Sequence, residues 1–323
     1  MIVSKTPLRV SFFGGGSDLP HYYQNNQGVC ISTSIDQYIT IAVNRCETDH
    51  IKLMYSEIEV VKNVQDLKHN RARNTLKLLG IDDNIEIASF ANIPTKGTGL
   101  GSSSSFTVGL LHALRTLNSQ GNVSPFELAE DACSVEIDMC AEPIGKQDQY
   151  AAAYGGFNLY AFSEYGVAIR PIHISHERKQ QLNSSLMFFS TKNTRSASAI
   201  LEQQVNNNKV DITSQLVDIA EQSMTVFEHG NLYDIGAMLD TSWKLKQKQA
   251  QGITTEWIDT IYDEGIKAGA LGGKLLGAGG GGYVMFFVPL RKQAKVRAAM
   301  MRLGCPELYV NMTDKGSTVH TIS

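Results

Sequence analysis

Pro94-Thr95-Lys96-Gly97-Thr98-Gly99-Leu100-Gly101-Ser102-Ser103-Ser104-Ser105 is the stretch on which the reading of this chain turns. It places three glycines and four serines directly ahead of Phe106, Leu110, Leu114 and Leu117, an apolar series with helical spacing. Upstream, Ile85-Glu86-Ile87-Ala88-Ser89-Phe90 alternates as a half-buried strand does. The order is therefore strand, glycine-serine loop, helix. Glycines allow positive φ and close approach of backbone to a ligand, and a helix start offers unpaired N–H groups and the positive end of its dipole to an anion. The stretch predicts a phosphate cradle. A Walker loop would need a lysine followed by Ser or Thr after its last glycine, and Gly101 runs straight into serines. The dinucleotide pattern needs glycines at positions one, three and six, whereas Gly97, Gly99 and Gly101 alternate. A flexible Gly/Ser linker is the plain alternative, but linkers rarely sit between a strand and a strongly amphipathic helix.

Two further glycine clusters flank this one. Pro7-Leu8-Arg9-Val10-Ser11-Phe12-Phe13-Gly14-Gly15-Gly16-Ser17-Asp18 reads as a strand entering a tight turn that ends in an aspartate. Arg9 and Asp18 are its chemical residues, although each taken alone is an ordinary strand-face charge or turn residue. Lys274-Leu275-Leu276-Gly277-Ala278-Gly279-Gly280-Gly281-Gly282-Tyr283 leads into the apolar strand Val284–Val288, closed by Pro289. The glycines of that turn, Gly279 and Gly280 among them, let the backbone press against a ligand.

Three such clusters in this order resemble the three motifs of the GHMP kinases, a superfamily named for galactokinase, homoserine kinase, mevalonate kinase and phosphomevalonate kinase. The resemblance covers nearly the whole chain. The run Thr6–Asp18 and the later Phe189-Ser190-Thr191-Lys192-Asn193-Thr194-Arg195-Ser196-Ala197-Ser198 are most similar to the branch that phosphorylates the anomeric hydroxyl of D-glycero-D-manno-heptose 7-phosphate. The resemblance implies an α+β fold of two domains, ribosomal-S5-like over 1–175 and ferredoxin-like over 176–323, with the active site between them. It also implies ATP and Mg²⁺ as cofactors and a sugar phosphate as acceptor.

Phosphoryl transfer asks mainly for positioning and for stabilisation of charge on the transferred group. The resemblance assigns ATP to Pro94, Lys96, Gly97, Gly99, Leu100, Gly101, Ser102, Ser103 and Ser104. Ser124-Pro125-Phe126-Glu127 is a helix start with a serine cap and a glutamate three residues on, and Leu128, Ala132, Val135 and Met139 continue the helix. Helical spacing alone leaves Glu136 an exposed carboxylate. The resemblance instead makes Glu136 and Ser103, with Ser102 second, the Mg²⁺ ligands, hard oxygens suited to that ion. In Gly145-Lys146-Gln147-Asp148-Gln149 it makes Asp148 the group that accepts or orients the sugar hydroxyl's proton, with Arg9 beside it. Asp18, Gly16 and Ser17 are expected to hold sugar hydroxyls, although Gly15-Gly16 stands where galactokinases carry Glu-His, which argues against galactose. Lys192 and Arg195 are the expected cations for the substrate's phosphate.

Composition agrees with a soluble enzyme: 42% of the 323 residues are apolar and 19% charged. No apolar run approaches the roughly 20 residues that span a bilayer, and the start lacks a signal-type segment. A cytoplasmic monomer or homodimer with no membrane partner is expected. A formal charge of −3 gives no general attraction to nucleic acid. Five cysteines without a Cys-x-x-Cys pair, and histidines without ligand spacing, argue against a disulfide framework or a zinc site. The polar stretch Ser175–Ser185 is the candidate junction between domains, Gln203–Lys209 reads as a helix end and loop, and Lys244, Lys246 and Lys248 read as a solvated helix face. The alternatives left open are a fucose- or hexosamine-type sugar 1-kinase and a non-catalytic relative that binds a sugar phosphate.

Overall fold

The computed structural model describes residues 1–94, 97–118, 122–193, 198–207 and 209–322. Seven strands open the chain: β1 (Ile2–Phe13), β2 (Gly28–Arg45), β3 (Ile51–Met54), β4 (Ile58–Val61), β5 (Ile85–Ala91), β6 (Phe157–Ser163) and β7 (Gly166–Pro171). Four more, β8 (Leu186–Ser190), β9 (Gly272–Leu275), β10 (Tyr283–Phe287) and β11 (Glu307–Leu308), form a separate antiparallel sheet in the order β11-β8-β10-β9. The last two, β12 (Met312–Thr313) and β13 (Thr318–Thr321), return to the first sheet, where they pair with β2 and β1. The C-terminal sheet is thus built from residues 186–308, and the end of the chain belongs to the N-terminal sheet.

In the first sheet the path is β13-β1-β2-β5-β3-β4, with β6 and β7 extending it beside the long β2. All pairs are antiparallel except β3 with β5. Between them run the helices α1 (Pro20–Tyr23), α2 (Asn70–Leu78), α3 (Ser102–Leu117), α4 (Pro125–Cys133), α5 (Gln147–Tyr154), α6 (His176–Ser185), α7 (Ser198–Asn207), α8 (Val210–Glu228), α9 (Asp234–Lys246), α10 (Glu256–Ala268) and α11 (Leu290–Arg302). The expected junction at 175–185 is itself helical: Ser175 caps α6, its hydroxyl accepting from the Arg178 N–H at 3.2 Å.

Two features of this architecture bear on the site. First, α3 lies in the core with Phe106, Leu110 and Leu114 buried, so its N-terminus is a fixed point rather than a fraying end. Second, the halves share a core. Phe12 of β1 and Phe157 of β6 pack edge to face on Phe227 of α8, with ring centroids 5.3 and 4.9 Å from it. Such pairs add about 0.5–1.5 kcal/mol beyond the area they bury, and Phe12→Ala would cost about 3–5 kcal/mol. The halves are therefore joined through a packed aromatic cluster.

Candidate active site

Between the two sheets lies a cleft of about 660 Å³. The N-terminal half lines it with Arg9, Asp18, Asp148 and the start of α3, and the C-terminal half with Lys246 and Lys274.

Arg9 sits on β1 just after a register shift between Pro7 and Leu8, and its own N–H donates to the Leu100 carbonyl at 3.0 Å, which docks the glycine loop onto the strand. Its guanidinium donates through Nε and Nη2 to the two oxygens of Asp148, at 2.7 and 2.8 Å, and through Nη1 to the Gly99 carbonyl at 2.6 Å. Asp148 stands in the first turn of α5, on the positive end of that helix. Gly101, at φ +73°, caps α3 against this pair; a Cβ there would lie 3.1 Å from Arg9 Cγ and 3.4 Å from Asp148 Oδ2. One cation thus orients the Asp148 carboxylate and pins the loop that precedes the helix start.

Asp18 faces Asp148 from the turn after β1. Its Oδ1 accepts from the Gly16 N–H at 3.1 Å and its Oδ2 from the Gln147 N–H at 3.4 Å. Burial, and secondarily the Asp148 charge, push its carboxyl above the ordinary range, with these backbone donors opposing the shift. Gly145 is required here because a Cβ would collide with the Asp18 carboxylate. Ser17, by contrast, is wholly buried: its hydroxyl donates to the Gly14 and Val29 carbonyls at 2.8 and 3.0 Å and accepts from the Val29 N–H at 2.9 Å. It holds the turn that presents Asp18 and does not face the cleft.

Glu136 departs from the exposed position that helical spacing gives it. After α4 the chain widens into one π-helical segment, Ser134–Met139, which turns Glu136 fully inward and leaves Met139 partly exposed. Its carboxylate accepts from Thr107 at 2.6 Å, Gln149 at 2.6 Å and Ser104 at 2.7 Å, and pairs with Arg71 Nε at 3.0 Å. Arg71 also pairs with Glu142. The serine that meets Glu136 is therefore Ser104, while Ser103 stands exposed at the lip of the cleft.

Two cations on the opposite wall escaped the sequence reading. Lys246, read there as solvated, is 7% exposed and donates to the Gly277 carbonyl; Lys274 is 2% exposed and donates to the Phe12 carbonyl at 2.9 Å. The signal for Lys246 lay in the stripe Ile235, Leu239, Trp243, at whose end it falls with helical spacing. Burial lowers the pKa of Lys246 to about 8 and that of Lys274 well below its usual value, the charge of Lys246 adding to the latter. Gln204, read as part of a helix end and loop, is also buried, lines the cleft, and has no partner for its Nε2 among the described residues.

A family model of the GHMP kinases N-terminal domain matches residues 49–156, and one of the GHMP kinases C-terminal domain matches residues 223–306. The chain belongs to the GHMP kinases. It is accordingly a kinase that draws on ATP. This GHMP kinase is 25% identical over 331 residues to D-glycero-alpha-D-manno-heptose 7-phosphate kinase of Campylobacter jejuni, with 94% of each chain covered. It is 25% identical over 322 residues to the bifunctional fucokinase/GDP-fucose pyrophosphorylase of Arabidopsis thaliana, covering 90% of this chain and 30% of that one. Among solved structures, a D-glycero-D-manno-heptose 1-phosphate kinase from Bacteriodes thetaiotaomicron superposes with a TM-score of 0.83 at 23% identity over the whole of both chains. The galactokinase of Lactococcus lactis complexed with galactose does so at 0.78 and 20% identity, over 98% of this chain and 95% of that one.

In this GHMP kinase the cleft brings together Arg9, Gly16, Asp18, Gly97, Gly99, Gly101, Ser102, Ser103, Ser104 and Asp148. Leu100 is buried beneath the loop and Pro94 is exposed at the end of β5. Gly279 and Gly280 pack against Ile253, the Gly280 N–H donating to its carbonyl at 2.9 Å, so that Gly277 and Ala278 line the cleft in their place. Lys192 is exposed, beside Gly304, and not among the lining residues. Lys96 and Arg195 lie outside the described residues.

Proposed function

We propose that this chain transfers the γ-phosphoryl group of ATP to the anomeric hydroxyl of a sugar, with D-glycero-D-manno-heptose 7-phosphate as the acceptor and the 1,7-bisphosphate as the product. The observation that carries the reading is the meeting of two carboxylates with different surroundings in one cleft. Asp148 is clamped by Arg9 beside the α3 N-terminus, while Asp18, held by the Gly16 and Gln147 N–H groups and the Cys30 thiol with no cation paired to it among the described residues, faces it.

Each half of the reaction has its residues. The N–H groups at the start of α3, with Ser102, Ser103 and Ser104, receive the ATP phosphates through the helix dipole and hydrogen bonds. Asp18 accepts hydrogen bonds from neighbouring sugar hydroxyls and sets the ring's orientation. Asp148 accepts a hydrogen bond from the attacking hydroxyl and takes its proton as the new O–P bond forms and the bond to ADP breaks. Arg9 keeps that carboxylate aligned and adds positive charge beside the transferred group. Glu142 and the serines of α3 line the cleft with hard oxygens that fit Mg²⁺, while Glu136 lies behind them, bonded to Ser104, Thr107, Gln149 and Arg71. When bound, that ion would neutralise phosphate charge.

No helix among the described residues is long and apolar enough to cross a membrane, and dependence on ATP favours the cytoplasm as the place of action. The product suits a nucleotide-sugar route to a surface glycan. The test is ADP release on a panel of heptose 7-phosphate, fucose, galactose, mannose and mevalonate. Selective turnover of the heptose phosphate is the expected result; selective turnover of an unphosphorylated sugar would replace the acceptor, a reading that the fucokinase and galactokinase relatives keep in view.

A further inference from the structure

Two ammonium groups buried in one cleft, neither ion-paired among the described residues, are an unusual arrangement. A buried charge is costly unless something of opposite sign meets it, and a lysine held by a single carbonyl keeps N–H donors to spare. Lys246 comes from α9, Lys274 from β9, and each is aimed by one backbone carbonyl, Gly277 and Phe12 respectively. Gln204, from α7, adds a third buried donor whose Nε2 has no partner among the described residues. All three line the cleft from the C-terminal half.

We propose that Lys246, Lys274 and the Gln204 amide form the receptor for the anionic end of the acceptor, a phosphate monoester in the sugar-phosphate case. The inference rests on the reading of the chain as a kinase for a phosphorylated sugar. The wall assignments favour the acceptor over ATP. The α3 start and its serines already supply donors for the nucleotide phosphates, whereas Lys274 is anchored on Phe12, just before the turn that carries Asp18. The lowered pKa values of both lysines describe the cleft without its anion; a dianion between them would favour the charged forms. The receptor also gives the acceptor's charge a buried site that the exposed Lys192 does not.

The experiment compares heptose 7-phosphate with the unphosphorylated heptose, by kcat/KM and by calorimetric binding without nucleotide, in the wild-type chain and in Lys246→Met, Lys274→Met and Lys246→Arg. The expected result is a fall of about tenfold to a hundredfold, per methionine variant, in the preference for the phosphorylated sugar. The fall should reside in KM, with the KM for ATP unmoved and partial recovery in Lys246→Arg. Cooperative melting identifies the variants that fold, and calorimetry answers for any that fold but turn over slowly. Equal losses for both sugars, or a raised KM for ATP, would overturn the receptor and give the lysines to the transferred phosphoryl group. Variants that keep full affinity for heptose 7-phosphate would overturn it while leaving the substrate reading standing. A wild-type chain that selects a different anionic acceptor, and loses that selection in the variants, would overturn the heptose reading and support the receptor.

Discussion

Arg9 meets Asp148 edge to edge, with two N–H···O bonds of 2.7 and 2.8 Å, and the same guanidinium reaches the Gly99 carbonyl at 2.6 Å. The Asp148 carboxylate and the glycine loop ahead of α3 are thus referred to one side chain. Such a bidentate pair gives geometric precision as well as attraction.

Asp148→Asn removes the proton acceptor while keeping the shape, and kcat is expected to fall by about 10²–10⁴ with nucleotide affinity little changed. Arg9→Lys keeps a charge but not the fork, and a loss in kcat of at least about tenfold is expected. Steady-state kinetics with equilibrium ADP binding checks both.

Asp18→Asn has a pH signature. The folded-state carboxyl is raised above its ordinary 3.8, so its contribution to stability is full below that value and is lost as pH rises through the folded pKa. The asparagine variant is therefore expected to melt higher than wild type near pH 7 and to lose this advantage as pH falls toward 4, while binding the sugar poorly. Thermal melts across that range decide it.

Lys246 runs the other way. Its folded pKa of about 8 lies below its ordinary 10.5, so between those values the unfolded chain binds more protons and stability rises with pH. Affinity for an anionic acceptor should fall over the same interval as the ammonium is lost. In Lys246→Met both slopes flatten, as denaturant titrations and acceptor binding at pH 7 to 10 would register.

Gly99→Ala tests the contact between the halves. At φ +74° a Cβ would collide with the Leu276 carbonyl, so the substitution adds a clash to the left-handed strain and is expected to cost at least about 2–3 kcal/mol and to raise the KM for ATP. Gly80→Ala, with φ +62° and open space around it, is the matched control and should cost only about 1–2 kcal/mol.

Glu136→Ala strands Arg71 and the donors of Ser104, Thr107 and Gln149 in a buried site, and a loss of about 3–5 kcal/mol is expected. Glu136→Gln retains acceptor capacity and should lose less. Urea unfolding separates the two.

The loop and helix around Gly97–Leu117 were legible because their signals are local: glycine spacing, hydroxyls, and apolar residues every three or four positions. The capping box of α4, Ser124 with Glu127, was legible for the same reason. Glu136 was not readable from spacing, since a single π-helical turn rotates everything after Cys133 out of an α-helical phase. Lys246 and Lys274 were missed because a lysine's fate depends on what the opposite half brings to it. Their sequence neighbours, charged around one and glycine-rich around the other, describe only one wall of the cleft. The helix in Ser175–Ser185, which lies between β7 of the first sheet and β8 of the second, went unread for a related reason, since a polar segment with a serine cap is as good a surface helix as it is a linker.

The return of β13 to the edge of β1 separates the order in which this chain is synthesised from the order in which it is completed. Ile2–Lys5 leave the ribosome long before their outer partners, Thr318–Thr321. Until β13 emerges, the outer edge of the first strand carries an unpaired row of backbone donors and acceptors, open to other chains in the way any bare edge is. A chain that stopped before Thr318 would spare every residue that lines the cleft and still leave that edge uncovered, so such a product should fail by self-association rather than by loss of the residues that line the cleft.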